Sequence, residues 1–333
     1  DGMKRYLGWL QEYADGHVVD VGLGDWGGAP LTDADLETAI TSTGYYYRFA
    51  RVLENTAALL GMEGEATEWA ELAEEIREVF NAEFLDEERG YYRTGEHEEY
   101  LQTSNIFPLA FGMVPEAHED EVVENLVHDI METHGGHLNT ATLGTKYLLT
   151  TLTEHGHHEV AYTIATQTDF PSWGHWIVNN RTSLLEFWGL DARSWDHHFL
   201  GVTDEWFYKH LAGIQPGAPG FEHVTIAPKP VGDLDSAHGR VDTVRGIVES
   251  GWQLTDDGIR LDVTVPGNTT ATIEIPALGH ESVQLQESGE TIWSGGEEAD
   301  ELPAGIESVS RQDNRLIVGT GGGAFAFELQ PAG

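Results

Sequence analysis

Along the first two thirds of the chain, apolar residues recur every three to four positions, the period that lines one face of a helix. One such pattern passes through Leu36, Ile40, Tyr47, Val52 and Leu59 and stops at Gly61. Thr32 supplies an N-cap for it, and Asp33 and Asp35 fall in the first turn, where the helix dipole favours carboxylates. A second pattern covers 65–84 through Trp69, Leu72, Ile76, Val79 and Phe80, with glutamates on the opposite face. The short link between the two predicts an antiparallel pair. Further helices are predicted at 103–113, 119–133, 141–155, 157–166 and 204–212, punctuated by glycine, proline or a His-Gly pair.

After Gly213 the period changes. Gln215-Pro-Gly-Ala-Pro-Gly220 is a run of chain breakers, and beyond it short segments alternate with Gly, Asp and Pro. Strands are predicted at 224–227, 245–249, 259–265, 271–275, 316–318 and 324–329, which together read as an antiparallel β-sandwich. The predicted division is therefore a helical domain at 1–215 and a β-domain at 216–333. Repeated antiparallel helical hairpins are what an α/α barrel needs, although an open bundle or a solenoid uses the same pattern.

Composition narrows the function classes. The 333 residues suffice for two ordinary domains, and no apolar run approaches the roughly 20 residues of a membrane-spanning helix. Zero cysteines exclude disulfides, a catalytic thiol and cysteine-ligated metals. With no such apolar run a membrane partner is not expected, and the net charge of −40, from 17 Lys+Arg against 57 Asp+Glu, repels nucleic acid, so no nucleic-acid partner is expected either. Lysine occurs only at 4, 146, 209 and 229. Such an acidic, lysine-poor surface repels itself in dilute buffer and is screened in molar salt, which predicts a salt-adapted protein. The sequence starts at Asp1, with no basic segment followed by an apolar one, so no signal peptide is visible and an earlier portion of the polypeptide is expected.

Rare residue types concentrate between 169 and 206: Asp169-Phe-Pro-Ser-Trp-Gly-His-Trp176, Arg181-Thr-Ser-Leu-Leu-Glu-Phe-Trp188 and Ser194-Trp-Asp-His-His198. Trp173, Trp176, Trp188 and Trp195 could offer flat faces to sugar C–H groups, with carboxylates and histidines binding hydroxyls; the ordinary place of a tryptophan, however, is the core between helices, since large apolar groups dominate interiors. Glu186 stands between Leu185 and Phe187, where its carboxylate loses water unless a partner such as Arg181 or His197 counters the loss. A carboxylate so placed can act as a general base, while most helical glutamates are solvated surface. In Gly22-Leu-Gly-Asp25-Trp26 the glycines let the backbone aim Asp25 and Trp26, or simply make a turn.

Sixteen histidines raise a metal hypothesis, with His134-Gly-Gly-His137 and His155-Gly-His-His158 the closest spacings. Neither has a zinc-protease pattern, and both sit at helix ends where histidine caps carbonyls, so no metal is expected. Gly319–Gly323 lies between strands without a following helix or lysine, so no nucleotide or other cofactor is expected, and the absence of a Gly-x-Ser-x-Gly elbow lowers the serine-hydrolase reading.

These segments resemble the bacterial α-L-rhamnosidases of glycoside hydrolase family 78. The resemblance rests on Gly24-Asp-Trp26, Gln102-Thr103 with Pro108-Leu-Ala-Phe-Gly112, His137-Leu-x-Thr140 with Leu143-Gly-Thr145, and Pro171-Ser-Trp-Gly174. It continues through Thr182-x-x-x-Glu186-x-Trp188, Ser194-x-Asp-His197 and Leu211-Ala-Gly-Ile214. Gly246-x-Val248, Trp252 and the segment 265–276 are similar to that family's C-terminal β-sandwich. The resemblance implies an (α/α)6-barrel, here incomplete at its N-terminal side, followed by the sandwich. It also implies removal of terminal α-L-rhamnose with inversion by a general acid and a general base. Glu186 matches the base, His197 a histidine that contacts the sugar, and Trp26 an aromatic lining the sugar site, with Asp25 orienting that loop and counted among the substrate-binding residues.

This chain departs from the family at Leu185, where tryptophan is usual, and in the ten-residue spacing between Glu186 and His197, which is often longer. The family's acid lies in an Asp-x-x-x-Arg-x-Gly-Trp-x-Gly-Asp type segment that this sequence lacks, so the acid is expected upstream of Asp1. The competing expectations are another α/α-barrel carbohydrate enzyme, or a non-catalytic sugar-binding protein without the acid.

Overall fold

A computed structural model describes residues 1–25, 38–93 and 100–332. It divides into two compact units, Asp1–Val202 and Thr203–Gly333.

The first unit is built from helical hairpins. After α1 (Gly2–Tyr13), α2 (Thr38–Leu59) and α3 (Glu63–Phe84) form the predicted antiparallel pair, burying Tyr46, Tyr47 and Leu53 of one and Leu72, Ile76 and Phe80 of the other. Gly61 makes the turn at φ +70°, a conformation a side chain would strain. The predicted start of this pair, at Thr32, Asp33, Asp35 and Leu36, lies outside the described residues. A short hairpin of β1 (Leu85–Asp86) and β2 (Tyr91–Tyr92) follows, braced by Arg93 on Asp86 at 2.9 Å.

Next comes α4 (Gln102–Phe111), almost wholly buried. Its Phe107 meets the rings of Tyr45, Phe111 and Tyr147 edge-on, with centroids 5.2–5.6 Å apart. The remaining helices are α5 (Glu116–His128), which runs on as a π-helical turn at Asp129–Thr133, then α6 (Thr142–Glu154), α7 (His158–Thr166) and α8 (Trp173–Val178). Ser172 caps α8 by accepting the His175 N–H at 2.9 Å. From 179 to 197 the chain forms neither helix nor strand.

The second unit opens with most of α9 (Val202–Trp206) and the π-helical Phe207–Leu211. Ser250 donates to the Ala212 carbonyl at 2.6 Å and Trp252 to that of Leu211 at 2.7 Å, so this helical end is bonded to strands. The contacts thus divide the chain earlier than residue 215, where the composition changes.

The strands are β3 (Ile214–Pro216), β4 (His223–Ile226), β5 (Ser236–Thr243), β6 (Gly246–Leu254), β7 (Ile259–Val265), β8 (Thr270–Pro276) and β9 (Val283–Glu287). They continue with β10 (Glu290–Ser294), β11 (Glu297–Glu298), β12 (Ile306–Gln312), β13 (Arg315–Thr320) and β14 (Gly323–Pro331). One sheet runs β11-β10-β9-β14-β7-β6-β5 and the other β12-β13-β8-β4-β3. Pairing is antiparallel except between β4 and β8, which run parallel. Alternation decides the layers: Val224 and Ile226, Ile273 and Ile275, and Leu316 and Val318 of the smaller sheet share one core with Leu261, Val263, Leu285, Phe327 and Leu329 of the larger.

Candidate active site

The segment 139–143, just before and at the start of α6, is the meeting point of motifs far apart in sequence. Gln102, the first residue of α4, accepts the Asn139 N–H at 2.7 Å and donates to buried Asp129 at 2.9 Å. Trp188 donates its indole N–H to the Thr140 carbonyl at 2.9 Å. Asp25 accepts the N–H groups of Ala141 at 2.9 Å and Leu143 at 2.7 Å, together with the Thr103 hydroxyl and the Gly144 N–H. A helix start carries unpaired N–H donors, and a carboxylate from a distant loop satisfies them here. Gly144 is required at this point, because a Cβ there would collide with Thr103 Oγ1 and crowd Asp25.

Asp25 is 2% exposed, and its oxygens are engaged by these four protein donors. Burial pushes its pKa up, against the pull of Thr103 and of the backbone N–H groups. These bonds tie Asp25 to α4 and to the segment before and at the start of α6. Its neighbour Trp26 lies outside the described residues.

Glu186 lies on the loop that also carries His197. Two backbone bonds close this loop, from the Glu186 N–H to the Ser194 carbonyl at 3.1 Å and from the His197 N–H to the Leu184 carbonyl at 3.0 Å. Ser183 adds a third tie through its hydroxyl to the Trp195 carbonyl. Glu186 is 8% exposed beside fully buried Leu185, and its Oε1 is 3.3 Å from Arg193 Nη2. Neither partner expected for it holds that place. Arg181 instead donates to the Leu190 carbonyl at 3.1 Å and lies over the Trp195 ring at 4.3 Å. His197 is half-buried against Phe199, ring centroids 4.7 Å apart. Sequence reasoning missed Arg193, since a contact across an irregular loop leaves no periodic signal.

The tryptophans divide by environment. Trp188 is 1% exposed, stacked on Trp176 and edge-on to Trp173, both at 5.1 Å. Trp176 donates to the Trp188 carbonyl at 3.0 Å and Trp173 to that of Leu200 at 2.7 Å. Of the two readings open to them, these three therefore fill the core. Trp195 is 53% exposed.

The histidine pairs act at helix ends. His155 Nδ1 bonds the Thr151 carbonyl at 2.8 Å at the end of α6, and His137 Nδ1 bonds the His134 carbonyl at 3.1 Å. His137 Nε2 is also 2.8 Å from Asp169, which holds that carboxyl below its ordinary range. Among the described residues, no three His, Asp or Glu side chains are grouped to hold a metal ion.

The helical hairpins of the first unit have the fold of the six-hairpin glycosidases. The chain belongs to the bacterial α-L-rhamnosidase family. The family's six-hairpin glycosidase domain matches residues 1–211, and its C-terminal domain matches residues 213–290. An α-L-rhamnosidase structure from Dictyoglumus thermophilum superposes with a TM-score of 0.90 at 31% identity, covering 99% of this chain and 36% of that one. The Streptomyces avermitilis α-L-rhamnosidase, solved in complex with L-rhamnose, superposes with a TM-score of 0.83 at 28% identity, over 98% of this chain and 30% of that one.

By sequence, the curated Streptomyces avermitilis α-L-rhamnosidase is 31% identical over 293 residues, which is 85% of this chain and 27% of the relative. That of Alteromonas sp. is 28% identical over 285 residues, 83% of this chain and 29% of the relative. The chain thus spans under a third of the length of these relatives.

Proposed function

We propose that this chain carries the water-activating side of an inverting α-L-rhamnosidase, with residues 1–215 as its catalytic part and 216–333 as an accessory β-domain. The observation that carries this reading is Glu186: a carboxylate only 8% exposed, on one closed loop with His197, tied through Trp188 to the Asp25 anchor. Membership of the rhamnosidase family and likeness to a structure solved with L-rhamnose support a rhamnose-containing glycoside or oligosaccharide as substrate.

In the proposed reaction, Glu186 takes a proton from a water molecule, whose oxygen attacks the anomeric carbon from the face opposite the leaving group. The glycosidic C–O bond breaks as the new C–O bond forms, which inverts the configuration. The departing oxygen receives its proton from a general acid, which in the inverting geometry stands about 6.5–9.5 Å from the base. His197 and Trp26 contact the sugar, and Asp25 holds the loop before α6 in register.

The test is hydrolysis of p-nitrophenyl α-L-rhamnopyranoside by the full polypeptide and its Glu186→Gln variant, with the first anomer formed read by NMR. Loss of about 10²–10⁴-fold in kcat and initial release of the inverted sugar are expected. Undiminished turnover by Glu186→Gln removes Glu186 from the chemistry.

A further inference from the structure

We propose that Arg193 is the positioning residue of Glu186, holding one carboxylate oxygen so that the other is aimed at the attacking water. The proposal rests on the reading of Glu186 as the base, and it adds a role to a residue that the sequence left unremarked.

A carboxylate drawn out of water needs hydrogen-bond donors, of which a charged one holds it most strongly, and Arg193 Nη2 meets Oε1 of Glu186 at 3.3 Å. Oε2 takes no part in this contact. The arginine is itself held near the glutamate by two features. Its guanidinium lies 5.5 Å from the ring centroid of Phe187, the next residue after Glu186, and the following residue, Ser194, accepts the Glu186 N–H. Backbone, ring and ion pair therefore connect the same two short stretches, 186–187 and 193–194. Arg193 remains 69% exposed along its side chain. A purely structural ion pair on that much solvent stabilises a fold little, whereas a guanidinium that restrains the direction of a carboxylate serves a base that must present one lone pair to water. Arg181, the other arginine of this region, is committed to Trp195 and Leu190.

The experiment compares Arg193→Gln, Arg193→Lys and Glu186→Gln in the full polypeptide, measuring kcat, KM and thermal midpoint at one fixed salt concentration. Misplacing a reacting group on the order of 1 Å costs about 10²-fold, so Arg193→Gln is expected to lose about that in kcat. KM is expected to stay within about twofold and the thermal midpoint to hold, the pattern of an interaction made in the transition state. Arg193→Lys, which keeps the charge without the fork, is expected to restore part of the lost kcat; it also serves as the test variant should Arg193→Gln fail to fold.

A wild-type kcat in Arg193→Gln overturns the proposal, as does a loss in which midpoint and kcat fall together and lysine restores neither. The two readings separate cleanly. If Glu186→Gln is inactive while Arg193→Gln is not, only the role of Arg193 fails; if Glu186→Gln keeps its kcat, the assignment of the base fails and that of Arg193 with it.

Discussion

Replacing Trp188 by phenylalanine keeps an aromatic ring in the core and removes the indole N–H. In the structure that N–H satisfies the Thr140 carbonyl at 2.9 Å, next to the amide that Asp25 accepts, while the ring stacks on Trp176 and meets Trp173 edge-on at 5.1 Å. A buried acceptor left without its donor costs about 1–3 kcal/mol, and weakened aromatic contacts about 0.5–1.5 kcal/mol. Trp188→Phe should therefore destabilise the helical unit by roughly 2–4 kcal/mol, and Trp188→Ala, which also leaves a cavity, by at least about 3–5 kcal/mol.

The assay is urea unfolding followed by far-ultraviolet circular dichroism. With a slope of about 1–3 kcal/mol per molar urea, the phenylalanine variant should lower the helical midpoint by on the order of 1 M. Trp195→Ala is the control. Trp195 is 53% exposed and packs under Arg181, so its removal should cost about 1 kcal/mol or less. An unchanged urea midpoint in Trp188→Phe together with weakened rhamnose binding would refute the assignment of this indole to the core and restore the sugar-platform reading.

Two further expectations concern pH and salt. His210 is buried with both ring nitrogens unpartnered among the described residues, and burial, followed by Lys209 and Lys229, pushes its pKa down to about 3. The unfolded chain, at the ordinary 6.5, takes up the proton first, so stability present above that pH is lost as pH falls towards 3; the loss is about 2 kcal/mol at pH 5. Urea titrations of the wild type and His210→Leu between pH 7 and about 4.5 should show a shallower acid decline in the variant, and parallel declines would remove His210 as the cause. The net charge of −40 leads to the proposal that the protein is salt-adapted: its thermal midpoint should climb from dilute buffer to multimolar KCl, where the Debye length falls to about 3 Å, and a flat profile would count against it.

The helices and strands of this protein were legible wherever the apolar period ran long enough. The α2–α3 hairpin, α6, α7 and β7 lie close to their predicted positions, because one face of each must be buried and the spacing of apolar residues says which. Shorter or more polar elements were not legible. The six residues of α8 are too few to establish a period, α1 exposes Tyr6, Trp9 and Tyr13, and β5 carries Ser, His, Arg and Asp along a sheet edge.

The sequence by itself determined the class of elements, the change from helix to strand near Gly213, the acidic surface and the motifs that mark the family. Only the tertiary structure decided what those motifs do. It assigned three tryptophans to the core, turned Asp25 inward onto the start of α6 and paired Glu186 with Arg193 instead of Arg181 or His197. The physical reason is that burial and pairing of a side chain depend on groups brought near by folding: Asp25 meets Thr103 and Ala141 across intervals of 78 and 116 residues, and no local period records such a meeting.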